Sequence, residues 1–400
     1  MKKFLILLLP MALLLSCVRP LFDKPGREGA DDPRVRPAAP DSTRGKAVVY
    51  ATAVVFPDTV NWRAGRTSAC RLVLFRDGVA VDTLDKYVEP GPEKSHYQDG
   101  HLWTNTTDGF RTSITCDGQL LFSYAGEEKM MGFLVTDGFV HTLGQRPGGG
   151  ICYRVNGEEV FSSAKGVVVG GAFSPDWEGG ALCRDGGNVY YTYALPVSTE
   201  TADMWEYRVM KGAETRKMIP ALSGSRLYDV RVFQDTVYRL EYRYGRMCFL
   251  KEDELQLMEN LPASARGMSL VRVDGRMRIR GEHEEGHAFS MWIRDADSLV
   301  TEYCNPHGQH VAHLFTEDGE RAVVSCDYED CVRYVIRDSV SVELPLETFR
   351  LHTASCARYR KGTIAVALTA DDAGGGNLLV VNTEKKELSF NGYFTGIYFE

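Results

Sequence analysis

The chain has 400 residues, of which 44% are hydrophobic and 25% are charged, a composition ordinary for a globular protein. Its 54 acidic and 46 basic side chains give a formal net charge of −8 at pH 7. This balance argues against a nucleic-acid-binding protein, because such proteins usually carry a basic face.

The N-terminus has the pattern of an export signal. Two lysines, Lys2 and Lys3, precede an apolar run at residues 4–15. That run is shorter than the ~20 residues that a helix needs to cross a bilayer. Residues 1–16 are therefore predicted to be a signal peptide rather than a transmembrane anchor.

The residues that end this segment, Leu14-Leu15-Ser16-Cys17, resemble the lipobox of bacterial lipoproteins. The resemblance implies that Cys17 is acylated, becomes the mature N-terminus and attaches the chain to a membrane. Val18 stands where an aspartate retains some members of that family at the inner membrane. The outer membrane is therefore the favoured location, and the resemblance leaves open which leaflet carries the protein.

Residues 17–46 are predicted to be a tether behind the lipidated cysteine. Five prolines stand there among charged and small residues, with hardly any apolar pairs. Such a segment cannot bury enough surface to offset its ordering entropy. The globular part is expected to span residues 47–400.

From residue 47 onward, short strand-like runs such as "RLVLF", "VYYTYAL" and "GTIAVAL" alternate with turn signals such as Asp77-Gly78, Asp117-Gly118 and Asn156-Gly157. Asx-Gly between such runs indicates a two-residue β-hairpin. One series of turns falls near residues 77, 117, 156, 212, 253, 295, 338 and 384. A second series interleaves with it, so each period of roughly forty residues holds two hairpins.

Four strands in each period are typical of a β-propeller blade. We predict an all-β propeller of four-stranded antiparallel blades, with eight blades favoured and seven as the alternative. The C-terminal "GIYFE" could complete the first unit, which lacks one clear strand. A 56-residue gap between turns fits a blade with an insertion around "LPVSTETADM". A pair of β-sandwiches is the competing architecture.

The stretch "EHEEGH" at residues 282–287 contains H-E-x-x-H, the pattern of zinc metalloproteases. That chemistry needs a helix to bring both histidines onto one face. The flanking runs are strand-like, so the motif is predicted to be a hairpin loop joining the second and third strands of blade six. As a protease motif it therefore fails.

Histidines nevertheless gather on two loops that should share one rim. His283 and His287 lie on the first loop, and His307 and His310 lie on the next connection between blades. Imidazoles with neighbouring carboxylates could bind a divalent metal. No spacing here is diagnostic, so a solvated polar loop is the alternative and no cofactor is otherwise expected.

Two further sets of residues are candidates for ligand binding. Arg226, Arg266 and Arg350 each stand where an innermost strand should begin, and guanidinium groups there would favour anionic ligands or pair with acidic neighbours. Trp62 and Trp177 are candidate aromatic anchors on the rim. Cys326 and Cys331 are the one disulfide candidate, because they could face each other across a hairpin.

The pattern as a whole favours a lipid-anchored cell-envelope propeller that binds a protein partner or a glycan without catalysis. A propeller-type glycoside hydrolase, a polysaccharide lyase and a metal-binding propeller are the alternatives. Fold alone cannot choose among them, since propellers host many unrelated functions.

Overall fold

The computed structural model describes residues 47–64, 70–88, 94–98, 100–107, 111–125, 128–170, 180–199, 202–220, 225–260, 266–285, 288–305, 308–317, 320–327, 331–336, 340–345, 349–350, 356–360, 362–370 and 376–400. For parts of these ranges, among them the strands within 326–350, it describes the backbone alone. Within the described residues, no helix is long and apolar enough to span a bilayer.

The described strands form eight antiparallel sheets, each with four or five strands. In the first three blades the strands are β1 (Val49–Val55), β2 (Cys70–Arg76), β3 (Val79–Val88), β4 (Lys94–Gln98), β5 (His101–Thr107), β6 (Arg111–Cys116), β7 (Gln119–Ala125), β8 (Lys129–Thr136), β9 (Phe139–Gln145), β10 (Ile151–Val155) and β11 (Glu158–Ser163). A short 3-10 helix, Trp62–Ala64, lies between β1 and β2.

Blades 4 and 5 contain β12 (Val167–Val169), β13 (Cys183–Asp185), β14 (Asn188–Thr199), β15 (Ala202–Lys211), β16 (Glu214–Ile219), β17 (Ser225–Phe233), β18 (Thr236–Arg243), β19 (Arg246–Lys251) and β20 (Glu254–Asn260). In blade 4, β12 and β13 both pair with β14, so two short strands share the first position.

Blades 6 to 8 contain β21 (Arg266–Val273), β22 (Arg276–Glu285), β23 (Ala288–Arg294), β24 (Leu299–Asn305), β25 (Gly308–Glu317), β26 (Glu320–Asp327), β27 (Cys331–Ile336), β28 (Val340–Pro345), β29 (Phe349–Arg350), β30 (Ala357–Arg360), β31 (Thr363–Ala370), β32 (Asn377–Val381) and β33 (Glu384–Leu388). The last strand, β34 (Gly392–Phe399), joins β1 and gives blade 1 its first strand. The predicted β-propeller is confirmed, including its closure by strands from both ends of the chain.

The turn between the third and fourth strands of a blade also binds the start of the second strand. In blade 3, the Val140 amide donates to Oδ1 of Asn156 at 2.9 Å, and the Asn156 amide donates to the Val140 carbonyl at 2.8 Å. The same pair of bonds occurs in blades 1, 2, 5 and 8, from turn residues Asp77, Asp117, Glu252 and Asn382. All five turn residues have positive φ. This exchange explains the forty-residue spacing of Asx-rich turns in the sequence.

These turns also define two faces of the propeller. The turns between first and second strands and between third and fourth strands share one end of each blade, here called the turn face. The connections between second and third strands, and those from one blade to the next, lie at the other end, here called the loop face. Long or irregular connections are concentrated on the loop face, which makes it the natural place for a binding site.

The hydrophobic core runs between neighbouring blades rather than through a central layer. Phe133, Val135 and Val140 of blade 3 pack against Trp103 and Ile114 of blade 2. Equivalent clusters join the other described pairs of blades, including blades 6 and 7 and blades 8 and 1. Five cysteines lie on third strands as expected, namely Cys70, Cys116, Cys152, Cys248 and Cys331.

The "EHEEGH" stretch is a hairpin of blade 6, as predicted, but most of it is strand rather than loop. Glu282, His283 and Glu284 lie in β22 and pair with Met291, Ser290 and Phe289 of β23. The ladder therefore continues almost to the tip of the hairpin. Because His283 is in a strand, the helical metalloprotease arrangement is ruled out.

Candidate functional site

An apolar groove of about 540 Å³ lies between blades 4 and 5. It opens toward the loop face, because Val167 and Ser225 are the first residues of β12 and β17. We call it the interblade groove, and the side chains that line it are Val167, Val168, Val169, Ala194, Trp205, Tyr207, Ser225, Leu227 and Tyr228. Its volume is within the range of ~300–1,000 Å³ found for ligand pockets.

The insertion in blade 4 builds one wall of this groove. Val167 pairs with Ala194, and β14 then continues to Thr199, beyond the end of β12. The returning strand β15 brings Trp205 opposite Pro196 and Tyr207 opposite Ala194. The hairpin predicted around "LPVSTETADM" is therefore present, and its returning strand carries the aromatic side chains.

Apolar surface is exposed at the edges of the groove. Val167 keeps 47% of its surface accessible, and Val197, on the protruding hairpin, keeps 42%. Trp205, Tyr207 and Tyr228 are partly buried. Partly buried aromatic side chains next to exposed aliphatic ones are typical of surfaces that bind protein segments.

Tyr244 stands at the same end of blade 5, in the turn between β18 and β19. It directly follows Arg243, which pairs with the groove residue Ser225. Its side chain is 80% exposed and its φ is 49°. Among the ten described non-glycine residues with positive φ, Tyr244 is the one aromatic, and the others are Asp, Asn, Gln or Glu. A bulky residue in this strained conformation suggests that its exposed ring has a role beyond forming the turn.

A second group of polar side chains, on the loop face of blade 3, has the contacts of a structural cluster. The Glu128 carboxylate accepts two hydrogen bonds from Arg154, at 2.7 and 2.9 Å, and a third from Arg146. The Arg154 guanidinium also lies 4.2 Å from the ring centre of Tyr124 on blade 2. Burial by itself would raise the pKa of Glu128, but the hydrogen bonds and charges of Arg154 and Arg146 hold it below its usual value. These contacts tie the connection between blades 2 and 3 to blade 3.

A buried ion pair in blade 5 links three blades. Arg231 and Asp229 contact each other at 3.2 Å and are both almost fully buried. Asp229 also accepts the Leu270 amide of blade 6 at 3.0 Å, and Arg231 donates to the Gly180 carbonyl at 2.8 Å. Both charges are used within the protein, so this pair is a structural link between blades.

Carboxyl groups with raised pKa values would mark a glycosidase-type acid. In the described part of the chain, a shift is resolved for Glu128, Glu159, Glu252 and Asp253, and in each case the pKa is lowered. These four carboxyls are held ionised by neighbouring donors, as in structural ion pairs.

The three candidate arginines lie at the starts of first strands. Arg226 is in β17, Arg266 in β21 and Arg350 in β29, all at the loop-face end. Their side chains are outside the described part of the structure, so their role in binding anions stays a prediction.

The two candidate tryptophans have different outcomes. Trp62 is partly buried rather than exposed, because it packs beside Phe56 and Tyr393 with ring centres 6.0 and 5.1 Å away. It thus joins the loop after β1 to β34 and helps to close the propeller. Trp177 lies outside the described residues.

The candidate histidines remain largely untested. His283 is partly buried in β22, and the backbone of His310 lies in β25, opposite Cys326. His287 and His307 lie outside the described residues, as does the side chain of His310. A metal site at this rim therefore stays a prediction.

The cysteine predictions also stay open. The backbone of Cys326 pairs with Val332, and that of Cys331 pairs with Pro345, but both side chains lie outside the described part. Cys17 belongs to the N-terminal residues that precede the described chain.

Sequence comparison adds no family: no model of a known protein family matches the chain, and no curated protein matches it. Similar folds occur among solved structures, all with low identity. BamB from Moraxella catarrhalis has a TM-score of 0.44 and 10% identity, over 84% of this chain and 96% of BamB. The dihydro-heme d1 dehydrogenase NirN has a TM-score of 0.48 and 13% identity, over 90% of this chain and 77% of NirN. Dipeptidyl peptidase 4 from Porphyromonas gingivalis has a TM-score of 0.47 and 11% identity, over 85% of this chain and 60% of the peptidase. The β-propeller architecture of this chain is given by its own eight sheets.

Proposed function

We propose that this protein is a lipid-anchored cell-envelope propeller that binds a protein partner, without catalysis, in the interblade groove. The observation that carries the proposal is the set of aromatic and aliphatic side chains that face one groove, with Trp205 and Tyr207 on one wall and Leu227 and Tyr228 on the other. Tyr244 adds an exposed ring at the rim.

The chemistry of the groove favours a polypeptide over a glycan. Of the described side chains that line it, none is charged, and Ser225 and the two tyrosines supply its hydroxyl groups. A sugar needs several hydrogen-bonding groups to replace the water it loses, whereas an apolar protein segment needs mainly hydrophobic contact. Trp and Tyr are also the residues that most often dominate protein interfaces.

A non-catalytic role fits the polar clusters described above. The charges of Glu128, Arg154, Asp229 and Arg231 are each held by a partner within the fold. Their contacts explain why these charges are buried without calling on a substrate.

The lipid anchor is part of the same proposal and rests on Leu14-Leu15-Ser16-Cys17. The anchor and the Pro-rich tether of residues 17–46 would hold the propeller beside a membrane while leaving its loop face free. Cells fed a labelled fatty acid should incorporate it into the full chain, and Cys17→Ser should abolish labelling and release the protein from the outer-membrane fraction. Unchanged labelling in Cys17→Ser would contradict the anchor.

Site-specific photo-crosslinking in the producing cells tests the binding role. A benzoylphenylalanine in place of Tyr244 should give a discrete protein adduct, whereas the same group in place of Leu120, an exposed residue of blade 2, should not. Adding Val167→Glu should abolish the adduct, because it puts a charge into the apolar groove. Val79→Glu is the matched control, since Val79 is 56% exposed on the outer strand of blade 1.

The outcomes separate the alternatives. An adduct that survives Val167→Glu, or the absence of any adduct at position 244, would contradict a partner in the groove. An adduct with a polysaccharide would favour the glycan-binding alternative.

A further inference from the structure

Three potential metal ligands meet on the turn face of blade 2, away from the interblade groove. His101 is the first residue of β5, and Cys116 and Asp117 lie where β6 passes into its turn. One ligand atom from each residue lies within 4.8 Å of the other two, and Nδ1 of His101 is 2.6 Å from Oδ2 of Asp117. In the described part of the chain, this is the one such group of three.

The turn holds the carboxylate in place. Oδ1 of Asp117 accepts the Leu102 amide at 2.9 Å, so the other oxygen, Oδ2, points toward His101. The backbone at Asp117 is fixed as well, with a φ of 47° in the turn and its own amide bonded to the Leu102 carbonyl. A ligand whose orientation is set by a separate hydrogen bond is typical of a built metal site.

The propeller repeat provides an internal comparison. The turn acceptor recurs because every blade needs it, but the residues around it vary. The position of His101 is filled by Val48, Phe139, Thr236 and Thr363 in blades 1, 3, 5 and 8, and that of Cys116 by Arg76, Val155, Lys251 and Val381. Of these five blades, blade 2 alone combines an imidazole, a thiol and a carboxylate, and the fold does not require that combination.

From this arrangement we infer that His101, Cys116 and Asp117 form a Zn²⁺ site, with water completing the coordination. A thiolate, an imidazole and a carboxylate match the ligand preferences of Zn²⁺. Bond lengths of ~2.0–2.3 Å place tetrahedral ligand atoms roughly 3.3–3.8 Å apart, so small side-chain movements bring the three atoms to a common ion. The His101 and Asp117 side chains are 56% and 50% exposed, which gives the ion access from solvent.

Spectroscopy with Co²⁺ as a probe reports directly on the thiolate. The purified full chain should bind Co²⁺ with a sulfur-to-metal charge-transfer band and the intense visible bands of tetrahedral coordination, and Zn²⁺ should displace the Co²⁺. Cys116→Ser should remove the charge-transfer band. Cys304→Ser is the control, because Cys304 is an exposed cysteine of blade 6 and its loss should leave the band unchanged.

The other two ligands can be replaced by residues that the repeat already uses. Asp117→Asn keeps the acceptor for the Leu102 amide, as Asn156 and Asn382 do in blades 3 and 8. His101→Thr follows Thr236 and Thr363. Each variant should melt at the temperature of the unchanged protein in chelator and should bind Zn²⁺ at least about tenfold more weakly.

Several results would overturn the site: no charge-transfer band in the unchanged protein, a band that survives Cys116→Ser, or unchanged Zn²⁺ affinity in both Asp117→Asn and His101→Thr. Zn²⁺ binding that depends on His283 and His310 instead would assign the metal to the loop face. The groove and the metal site lie on opposite faces, so either proposal can fail without the other.

Discussion

The amide of Val49 donates a hydrogen bond to the carboxylate of Asp77 at 3.0 Å, and the amide of Asp77 returns one to the carbonyl of Val49 at 2.8 Å. This exchange joins the last turn of blade 1 to the start of its second strand. Its recurrence around the propeller means that one small polar residue in each such blade fixes both a turn and a strand end.

Loss of this side chain should destabilise the fold. Asn156→Ala removes the acceptor for the Val140 amide and puts a Cβ-bearing residue that lacks a polar side chain at a φ of 51°. The free energy of unfolding should fall by about 2 kcal/mol. Asn156→Asp keeps the acceptor and should stay within about 0.5 kcal/mol of the unchanged protein. Urea denaturation measures both, and equal midpoints for the Ala and Asp variants would refute the role of the side chain.

Closure by β34 should be sensitive to a single methyl group. A Cβ on Gly392 would lie 1.9 Å from the carbonyl oxygen of Val54, and backbone at this contact cannot yield as a flexible side chain would. Gly392→Ala should therefore lower the free energy of unfolding by about 3 kcal/mol. Gly187→Ala is the control, because its Cβ would make only an ordinary contact at 3.6 Å with Asp137. Similar thermal midpoints for the two variants would count against this account.

Breaking the buried pair of blade 3 should be costly. Glu128→Gln leaves the Arg154 guanidinium without its carboxylate, and removing one partner of a buried pair typically costs about 3–5 kcal/mol. Glu158→Gln, at an exposed position nearby, should change the unfolding free energy by less than about 0.5 kcal/mol.

The cost of Glu128→Gln should also depend on pH. The pKa of Glu128 is lowered in the folded protein, so its stabilising contribution is complete above its ordinary pKa of 4.5 and is lost as pH falls through the lower folded value. The difference between Glu128→Gln and the unchanged protein should therefore shrink only in acid. A difference that stays constant through the acid range would contradict an ionised Glu128.

His141 should make the propeller sensitive to acid in a higher range of pH. Burial lowers its pKa from 6.5 to about 4, against the opposing charge of Asp137. Because the folded pKa is depressed, the stabilisation is complete above pH 6.5 and is lost as pH falls toward 4. At about 1.4 kcal/mol per pKa unit, the loss could reach about 3 kcal/mol. His141→Gln should flatten this part of the curve of unfolding free energy against pH, and parallel curves for the two proteins would rule His141 out.

The sequence contained the repeat in its turns. Asx-Gly at 77, 117 and 156 indicates hairpins because a type I′ turn needs positive φ at two successive residues, and this requirement is local. The same local reasoning placed His283 in a hairpin, because glycines and strand-like runs flank it. It could not tell how far the ladder of β22 extends, since that depends on pairing with β23.

The candidate site was harder to predict. The insertion in blade 4 was visible as a long gap between turns, but the alignment of Trp205 and Tyr207 with Leu227 and Tyr228 depends on how blades 4 and 5 pack. Trp62 looked like an exposed anchor and is instead partly buried, because Tyr393, more than three hundred residues later, packs against it. Tyr244 could have been noticed from its position before Gly245, where Asn or Asp is usual.

By itself, the sequence determined the features that arise from neighbouring residues: the export signal with its lipobox-like end, the Pro-rich tether, and the strand and turn periods that specify blades. Only the tertiary structure decided which side chains meet across blades, including the interblade groove and the cluster of His101, Cys116 and Asp117. The reason is that hairpin formation depends on φ and side-chain alternation within about twenty residues. Contacts between blades depend instead on the twist and register of whole sheets, which no short stretch of sequence contains.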